Sequence, residues 1–444
     1  MSATRRPPTP STSPGLSRRR LIASLGALPL AGAAVGCGTG QASSADGKVT
    51  IDFQWWGSAD RNLATEKAIE LFEKRHPDIK VTTSFAGYAA YLQRLATQVA
   101  AGSGPDVLQM DFGYLRAYAD RNVLSKLTDS VFSTISLKRI PTIYARTGLV
   151  DGTLYGLPTG IATQALLIDA KLWAKAGVGV PRPGWTWDDL LNDIGPALKK
   201  ALPDRAPLTD FSGHIEIFQI WLVQHGKPLY KKDGSLGFTK ADLTQFWEYM
   251  GRLRDKGVFT SPSLTASYAS GSTADSPLIR KLSTGEFQIT SSASTYFQTY
   301  GVVQPIAFPT QSATAPIGMT GGASQALCIQ RKCAHKPEAA LLIDFLLNDP
   351  DAAKILGLVR GLPSNTDTLA ALAPGLTGGD KAVYTFLTSI QSKLSPSPAP
   401  PPSGSDEDKL DFTGIYQDII FGKKSLRSAV DDMWDKFHTT VPQG

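Results

Sequence analysis

The chain has 444 residues, of which 42% are hydrophobic and 19% are charged, and it contains 41 glycines and 30 prolines. This apolar mass is enough for two lobes of about 150–200 residues, each with its own core, and the composition excludes a disordered chain or a long helical rod. The formal net charge of +6 arises largely in Met1–Gly36, whose five arginines are unopposed by acidic residues, so that the remaining chain carries only +1. We therefore expect no nucleic-acid partner, because phosphate binding needs basic residues clustered in the folded domain.

The N-terminus has the pattern of an export signal. The basic stretch Ser17–Arg20 precedes the apolar run Leu21–Val35, which is too short to span a bilayer comfortably. The paired arginines are similar to a twin-arginine signal, and Ala34–Cys37 is similar to a lipobox, in which the cysteine is acylated. We predict a signal peptide over residues 1–36, a tether over 37–47 and a lipid anchor at Cys37 on the outer face of the bacterial cell membrane. The alternative is a cleaved signal with an incidental cysteine.

Hydrophobic periodicity predicts alternating strands and helices after the tether. Strands are predicted over Val49–Phe53, Ile79–Thr83 and Asp106–Met110, with helices between them over Asn62–His76 and Tyr91–Ala101. This β-α-β-α-β order favours a parallel sheet, in which ligands lie beyond the carboxyl ends of the strands.

The rest of the chain is predicted to be richer in helices. Strands are expected over Ala165–Asp169, Gly285–Thr290 and Gly321–Ile329, and helices over Asp188–Leu202, Ile215–Val223, Lys240–Lys256, Ser276–Thr284, Lys336–Leu347, Lys381–Lys393 and Ser425–Phe437. The proline-rich stretch Ser395–Pro402 is predicted to be an extended, solvated loop, to which the sequence assigns no function. Cys328 and Cys333 are compatible with a disulfide or with two free thiols.

A set of motifs in a fixed order resembles a known family. They are WWG at Trp55–Gly57, AGSGPDVLQMD at Ala101–Asp111, DGTLYGLP at Asp151–Pro158, KAGV at Lys175–Val178, TWDDL at Thr186–Leu190, GGASQAL at Gly321–Leu327, KPEAALLIDFLLNDP at Lys336–Pro350 and GLPSN at Gly361–Asn365. In this order they resemble the family 1 extracellular solute-binding proteins of bacterial ABC importers, which include maltose- and other oligosaccharide-binding proteins. The resemblance covers nearly the whole mature chain.

The resemblance implies an α/β, two-lobe periplasmic-binding-protein fold of the class II, maltose-binding-like type, with a hinge and a ligand cleft between the lobes. We place the three hinge crossings near Pro158, Phe308 and Val359. Lobe one then comprises residues 48–157 and 309–358, and lobe two comprises residues 158–308 and 359–444.

The resemblance also implies a function in sugar uptake. A monomeric protein would bind a mono- or oligosaccharide and deliver it to the permease subunits of an importer driven by a cytoplasmic ATPase, with no cofactor, metal or catalytic residue. Carbohydrate-active enzymes are the enzymatic alternative, but the chain has no G-x-S-x-G, H-E-x-x-H or phosphate-binding GxxxxGK[ST] motif. Binding of a non-sugar solute by the same fold is the other alternative.

Sugar recognition requires rings that stack on the C–H faces of a pyranose and polar groups that bind its hydroxyls. Trp55 and Trp56 follow the first strand, so alternation turns their rings to opposite sides and at least one should face the cleft, unless both fill the core. Asp111 follows another strand and is expected either to accept sugar hydroxyls or to cap the next helix, and the same two roles are open for Asp60. Arg360 is expected to donate to hydroxyls or to form an ion pair between lobes.

The candidate ligand-binding residues therefore come from several loops of the predicted fold. They are Trp55, Trp56, Gly57, Asp60, Arg61, Tyr88, Asp111, Tyr114, Trp221, Ser292, Ser294, Tyr296, Gly321, Gly322 and Arg360.

Overall fold

The computed structural model of the chain describes residues 47–268, 275–396, 398, 401–402 and 405–441, except for the side chains of Ala89, Ser294, Ser324 and Asp406. The predicted signal peptide, Cys37 and all of the tether before Gly47 lie outside the described residues. Within the described part, none of the helices is both long and apolar enough to cross a membrane.

Strands and helices alternate along the chain. The strands are β1 (Val49–Trp56), β2 (Ile79–Ala86), β3 (Val107–Met110), β4 (Leu149–Val150), β5 (Thr153–Leu154), β6 (Leu157–Ala162), β7 (Gln164–Asp169), β8 (Gly285–Ile289), β9 (Val303–Ile306), β10 (Gly322–Ile329) and β11 (Leu362–Pro363). The α-helices are α1 (Ala59–Arg75), α2 (Tyr88–Ala100), α3 (Phe112–Asp120), α4 (Thr142–Ala145), α5 (Ala170–Lys175), α6 (Trp187–Asp189), α7 (Gly195–Ala201), α8 (Ile215–Gln224), α9 (Lys240–Asp255), α10 (Pro262–Ser267), α11 (Ala293–Tyr300), α12 (Lys336–Asn348), α13 (Pro350–Leu356), α14 (Thr366–Leu372), α15 (Gly378–Ile390), α16 (Ser405–Ile420) and α17 (Leu426–Thr440).

The first sheet has six strands in the order β11-β6-β10-β3-β1-β2. Strand β1 pairs in parallel with β2 and β3, whereas β10 is antiparallel to β3 and β6. The predicted β-α-β-α-β unit is therefore confirmed. Ile51, Phe53 and Trp55 on alternate positions of β1 are fully buried, together with Phe72 of α1. This alternation fixes one side of β1 in the core and leaves the carboxyl ends of β1 and β3 at one edge of the sheet.

The second sheet has three antiparallel strands in the order β8-β7-β9. Residues Ala165–Ile168 of β7 are completely buried, which explains their uninterrupted apolar run. The chain passes from the first sheet to the second at Thr163, between β6 and β7. This is later than the predicted crossing near Pro158, because Pro158 is itself paired with Ala326 inside the first sheet.

The return crossings follow the same two sheets. Strand β9 of the second sheet ends at Ile306 and β10 of the first begins at Gly322, so the predicted crossing near Phe308 falls within this connection. Beyond Val359, where the third crossing is predicted, β11 at Leu362–Pro363 still pairs with β6 of the first sheet. Helix α15 then packs on α11 and β9.

The helix predicted over Ser276–Thr284 is wrong. The segment forms turns, and Lys281 has a positive φ of 61° that an α-helix does not allow. The hydroxyl of Ser276 and the backbone N–H of Leu278 both donate to Oε2 of the buried Glu286, at 2.9 and 3.3 Å. These bonds hold the segment in its non-helical path.

The two cysteines are free thiols, and both are buried. Burial raises the pKa of Cys333 to about 12 and raises that of Cys328 further. Neither thiol is therefore ionised near neutral pH, and the open question of a disulfide is answered in favour of two buried thiols.

Helix α16, which the sequence analysis missed, is fixed by a buried carboxylate. Asp408 is fully buried and accepts hydrogen bonds from the hydroxyls of Tyr230, at 2.5 Å, and Thr440, at 2.8 Å. Burial raises the pKa of Asp408 to about 6. The carboxylate thus joins the start of α16 to the end of α17 and to the loop before α9.

We expect Asp408→Asn to stabilise the protein in neutral solution. The folded-state pKa of Asp408 lies above its unfolded value, so the stabilising contribution is complete below about pH 4 and is lost as pH rises through about 6. Asparagine keeps the shape without the charge, and the free energy of unfolding should rise by roughly 2 kcal/mol at pH 8 and be unchanged at pH 4. Thermal unfolding across this pH range measures the effect, with the exposed Asp435→Asn as control. Equal stability changes in the two variants would contradict the raised pKa of Asp408.

Candidate functional site

A cavity of about 600 Å³ lies where the two sheets meet. Its volume is within the range of about 300–1,000 Å³ that is usual for small-molecule sites. Much of the lining comes from the junction of β6 and β7, the last residue of β8, the first residues of β10, and the first halves of α3 and α8. The lining residues are Phe112, Gly113, Thr147, Ala162, Thr163, Gln164, Glu216, Gln219, Ile289, Ser291, Ser292, Thr320, Gly322, Ala323, Pro398 and Pro401.

Strand geometry explains why this cavity is the candidate site. Phe112 and Gly113 open α3 directly after β3, at the carboxyl edge of the parallel part of the first sheet, where ligands bind in such sheets. A second cavity, of about 570 Å³, lies along β9 between α5 and α15. Its lining contains no residue of the first sheet, so it lacks the position between sheets that the ligand cavity has.

Several polar side chains on the cavity wall are free to bind a ligand. Gln219 projects from α8, and Ser291 and Ser292 follow β8. None of the three side chains has a hydrogen-bond partner among the described residues. They offer hydroxyl and amide groups that both donate and accept.

The charged residue on this wall is Glu216. Its Oε1 accepts a hydrogen bond of 2.5 Å from the ammonium of Lys409 in α16. Burial opposes ionisation, but the charges of Lys409 and His214 outweigh it and hold the pKa of Glu216 below its ordinary value. Its Oε2 is buried and has no partner among the described residues. A ligand hydroxyl that reached this oxygen would remove the cost of a buried unpaired acceptor.

Three of the predicted residues form an aromatic and acidic cluster. The ring of Trp56 contacts the ring of Tyr88 at 5.4 Å between centroids. The hydroxyl of Tyr88 donates to Oδ2 of Asp111 at 2.9 Å, and the side chain of Tyr88 is 44% exposed. Asp111 also caps α3, because its Oδ1 accepts a hydrogen bond from the N–H of Gly113. The structure therefore brings these residues together at the start of α3, where Phe112 and Gly113 line the cavity, although none of the three is itself a lining residue.

Trp55 is a correction to the predicted set. Its side chain is fully buried, its Nε1 donates to Oδ1 of Asn62 at 2.9 Å, and its ring packs on Phe53 and Phe85. The alternation along β1 therefore assigns Trp55 to the core and Trp56 to the other side.

Arg61 organises the loop after β1 and is not part of the cavity lining. Its guanidinium donates to the carbonyl oxygens of Val359 and Trp56, at 2.8 and 3.0 Å, and to Oε1 of Gln325 at 3.1 Å. Burial lowers the pKa of Arg61. Gly57 permits this geometry, because a Cβ there would lie 2.6 Å from Cδ of Arg61. Both residues hold the backbone around the site.

Arg360 also lies away from the ligand cavity. It is 7% exposed, and its carbonyl oxygen accepts a hydrogen bond from Nε2 of Gln325 at 3.2 Å. Burial, followed by the nearby charge of Arg61, lowers the pKa of Arg360 to about 9. It borders a small separate cavity of about 30 Å³ beneath α13 and is not part of the lining of the candidate cavity.

Two predicted aromatic contacts are corrected in the same way. Trp221 is 5% exposed and packs on the rings of Trp187 and Tyr249. Tyr296 is 1% exposed, and its hydroxyl donates to Oε1 of Glu286 at 2.5 Å. Both residues belong to the core around the second sheet.

The other predicted residues divide between the cavity, the surface and the core. Ser292 and Gly322 line the cavity. Gly321 is buried, and a Cβ there would press on Ile143, Tyr144 and Leu394, so it serves close packing. Ser58 rather than Asp60 caps α1, and Asp60 is exposed in the first turn.

Tyr114 and Ser294 are the remaining predicted residues. Tyr114 is half-buried against the small core beneath α3 and is not part of the cavity lining. The side chain of Ser294 lies outside the described parts of the chain.

Sequence reasoning missed most of the cavity wall. Glu216 and Gln219 could have been found, because they are the polar residues in the otherwise apolar turns Ile215–Val223 and their spacing of three places them on one helix face. Thr163, Gln164 and Thr320 carry no local signal, since they meet only when the two sheets are joined.

The fold and the cavity between its sheets define a solute-binding protein of the α/β type. A family model described as bacterial extracellular solute-binding protein matches residues 56–353. The chain belongs to this family, whose members serve ABC importers.

Similar proteins agree with this assignment. An uncharacterized lipoprotein of Streptomyces antibioticus is 26% identical over 416 residues, which cover 88% of this chain and 86% of that protein. A family 1 extracellular solute-binding protein from Alicyclobacillus acidocaldarius superposes with a TM-score of 0.74 at 29% identity, covering 88% of this chain and 98% of that one.

A third similarity concerns the fold alone. The periplasmic oligogalacturonide-binding protein of Yersinia enterocolitica, solved with saturated digalacturonic acid, has a TM-score of 0.74 at 24% identity and covers 88% of this chain and 99% of that one.

The difference in burial between Trp55 and Tyr88 predicts different effects of their substitution on stability. We expect Trp55→Ala to lower the free energy of unfolding by roughly 3–5 kcal/mol, because it empties a fully packed position. Tyr88→Ala, which removes a half-exposed ring, should cost about 1 kcal/mol or less. Urea unfolding of both variants tests this, and equal losses would place Tyr88 in the core as well.

Proposed function

We propose that this protein captures a neutral saccharide in the cavity between its sheets and delivers it to the permease of an ABC importer. The solute-binding role follows from the family. The choice of ligand is supported chiefly by one observation, the free hydroxyl and amide groups of Gln219, Ser291 and Ser292 on a wall that contains one ionisable residue. Groups that both donate and accept match the hydroxyls of a sugar.

The charge of the cavity favours a neutral ligand. A phosphate or carboxylate ligand needs arginine or lysine on the wall, and neither residue type occurs in the cavity lining. Glu216 is anionic, but Lys409 already neutralises it. A cationic ligand would therefore meet a compensated charge, and an acidic sugar such as a galacturonide would meet no cation on this wall.

The aromatic cluster supplies the second requirement for sugar binding. Trp56 and the exposed Tyr88 lie next to the α3 end of the cavity, with Asp111 beside them. We propose that one face of this cluster stacks on a pyranose ring, as aromatic side chains do with apolar C–H surfaces. Trp55, Trp221 and Tyr296 have no part in it because they are buried.

We further propose that the protein binds without catalysis. Hydrolysis of a glycoside needs two carboxyl groups at a fixed separation, one of them protonated. The cavity lining has one carboxyl group, that of Glu216, and its pKa is lowered rather than raised. The carboxylate of Asp111 beside the cavity already accepts hydrogen bonds from Tyr88 and from the N–H of Gly113. This arrangement suits recognition of hydroxyls.

The proposal is tested by thermal unfolding of the mature protein with a panel of neutral sugars, acidic sugars, polyamines and sugar phosphates. We expect a neutral saccharide to raise the melting temperature in proportion to its binding. A shift with amines or acidic sugars alone would overturn the choice of ligand.

The cavity itself is tested by Gln219→Ala. Loss of one or two hydrogen bonds to the ligand should weaken binding about tenfold in calorimetry. Gln93→Ala, an exposed glutamine on α2, is the matched control and should bind like the unaltered protein. Equal affinities for the two variants would place the ligand elsewhere.

We propose that Cys37 carries the lipid that retains the protein at the membrane, and Cys37→Ser tests this. The variant should appear in the culture medium or the soluble fraction, because one residue supplies the anchor. Immunoblotting of fractions measures the change, with Cys333→Ser as the cysteine control. Retention of the Cys37→Ser protein in the membrane fraction would contradict the anchor.

A further inference from the structure

The described residues of the proline-rich stretch Ser395–Pro402 are Ser395, Pro396, Pro398, Pro401 and Pro402, of which Pro402 is buried. Pro398 and Pro401 both line the ligand cavity. Pro396 is exposed, as Pro398 is, but it is not part of the lining. Two prolines of this stretch thus have a position that composition alone does not explain.

The first end of the stretch is fixed to the cavity wall. The N–H of Ser395 donates to the carbonyl oxygen of Met319 at 2.9 Å, and its own carbonyl oxygen accepts from the N–H of Gly321 at 3.3 Å. These bonds form a parallel bridge between Ser395 and Thr320, and Thr320 is itself a lining residue. The buried Leu394 packs beside Gly321. The stretch therefore begins on the β10 side of the cavity.

The second end is fixed to α8 through α16. Pro402 is buried, and its carbonyl oxygen accepts from the N–H of Ser405 at 3.2 Å, where α16 begins. Lys409 of α16 then binds Glu216, and the hydroxyl of Thr413 donates to the carbonyl oxygen of Gly213 at 2.9 Å. Both ends are therefore attached to elements that form the cavity, and this explains why Pro398 and Pro401 border it.

The chemistry of proline determines what these two residues can contribute. A proline has no N–H donor, and its ring presents only C–H groups with little conformational freedom. The free polar groups of the lining come instead from α8 and from the turn after β8. A saccharide is amphipathic, with hydroxyls at its edges and C–H groups on its ring faces, so it can use both kinds of wall at once.

We propose that Pro398 and Pro401 are specificity-determining residues, forming an apolar wall against which the C–H face of the bound saccharide packs. This inference rests on the proposed function and adds a contact from a segment that carries none of the family motifs. The wall favours ligands with an apolar ring face over open-chain polyols that have the same hydroxyl groups.

The experiment compares the double variant Pro398→Ala/Pro401→Ala with Pro396→Ala. The probe is the neutral saccharide that gives the largest thermal shift with the unaltered protein, and an open-chain polyol such as sorbitol is the reference ligand. We expect the double variant to bind the saccharide about tenfold more weakly, because the contact loses roughly two buried methylene groups. Its affinity for sorbitol should be unchanged, and Pro396→Ala, which changes chain stiffness in the same stretch, should bind normally.

The outcomes separate this inference from the proposed function. Saccharide binding that is unchanged in the double variant, or equally weakened in Pro396→Ala, overturns the apolar wall and leaves the proposed function standing. An unaltered protein that binds no saccharide at all overturns both. Circular dichroism of each variant checks that it is folded. We expect folding to be retained, because Pro398 and Pro401 are not buried and the buried Pro402 is left unchanged.

Discussion

The arrangement of this protein depends on a hydrogen-bonded junction where the two sheets meet. The hydroxyl of Thr163 donates to the carbonyl oxygen of Thr320 at 2.8 Å, and Oε1 of Gln164 accepts from the N–H of Thr320 at 3.2 Å. The N–H of Thr163 donates to the hydroxyl of Thr290, whose own N–H donates back to the carbonyl of Thr163. Buried backbone groups that leave a sheet must find partners without water, and these side chains supply them. Because Thr163, Gln164 and Thr320 also line the cavity, the groups that join the sheets are the groups that a ligand approaches.

The same structure shows how the charges near the site are arranged. Arg61 donates hydrogen bonds to carbonyl oxygens and to a side-chain amide oxygen. Asp111 accepts from Tyr88 and from the N-terminus of α3, and Glu216 accepts from Lys409. Buried charges are costly unless such partners surround them, and groups held in this way stabilise the shape of the cavity. In the proposed function, recognition is left to the hydroxyl and amide groups that have no such partner, and these groups favour neither sign of charge. The proposed neutral, hydroxyl-rich ligand rests on this division.

Local sequence patterns predicted those parts of the fold that depend on local chemistry. The alternation in β1 and the breaks at Pro77 and Gly104-Pro105 gave the parallel β-α-β-α-β unit, and alternation also required Trp55 and Trp56 to diverge. The hydrogen bond from Trp55 to Asn62 of α1 shows which tryptophan enters the core. This contact joins two elements, so the hydrophobic periodicity of one strand cannot predict it. The partners of Arg61, at positions 325 and 359, are even more distant along the chain. The sequence could not show that the guanidinium of Arg61 is already bound by these groups, because residue type indicates chemistry but not long-range packing.

The proline-rich stretch before α16 borders the cavity at two positions that composition does not report. A run of serine and proline cannot form a packed core by itself, and its composition is typical of a solvated linker. Here both ends are attached, one by backbone bonds at Ser395 and the other by the buried Pro402 before α16. Because both ends are fixed and proline restricts the backbone, placing Pro398 and Pro401 at the cavity costs less conformational entropy than it would in a free chain. The proline rings can therefore form part of a binding cavity without the hydrogen bonds that other backbone would require, and the same helix α16 brings Lys409 to Glu216 on the polar wall.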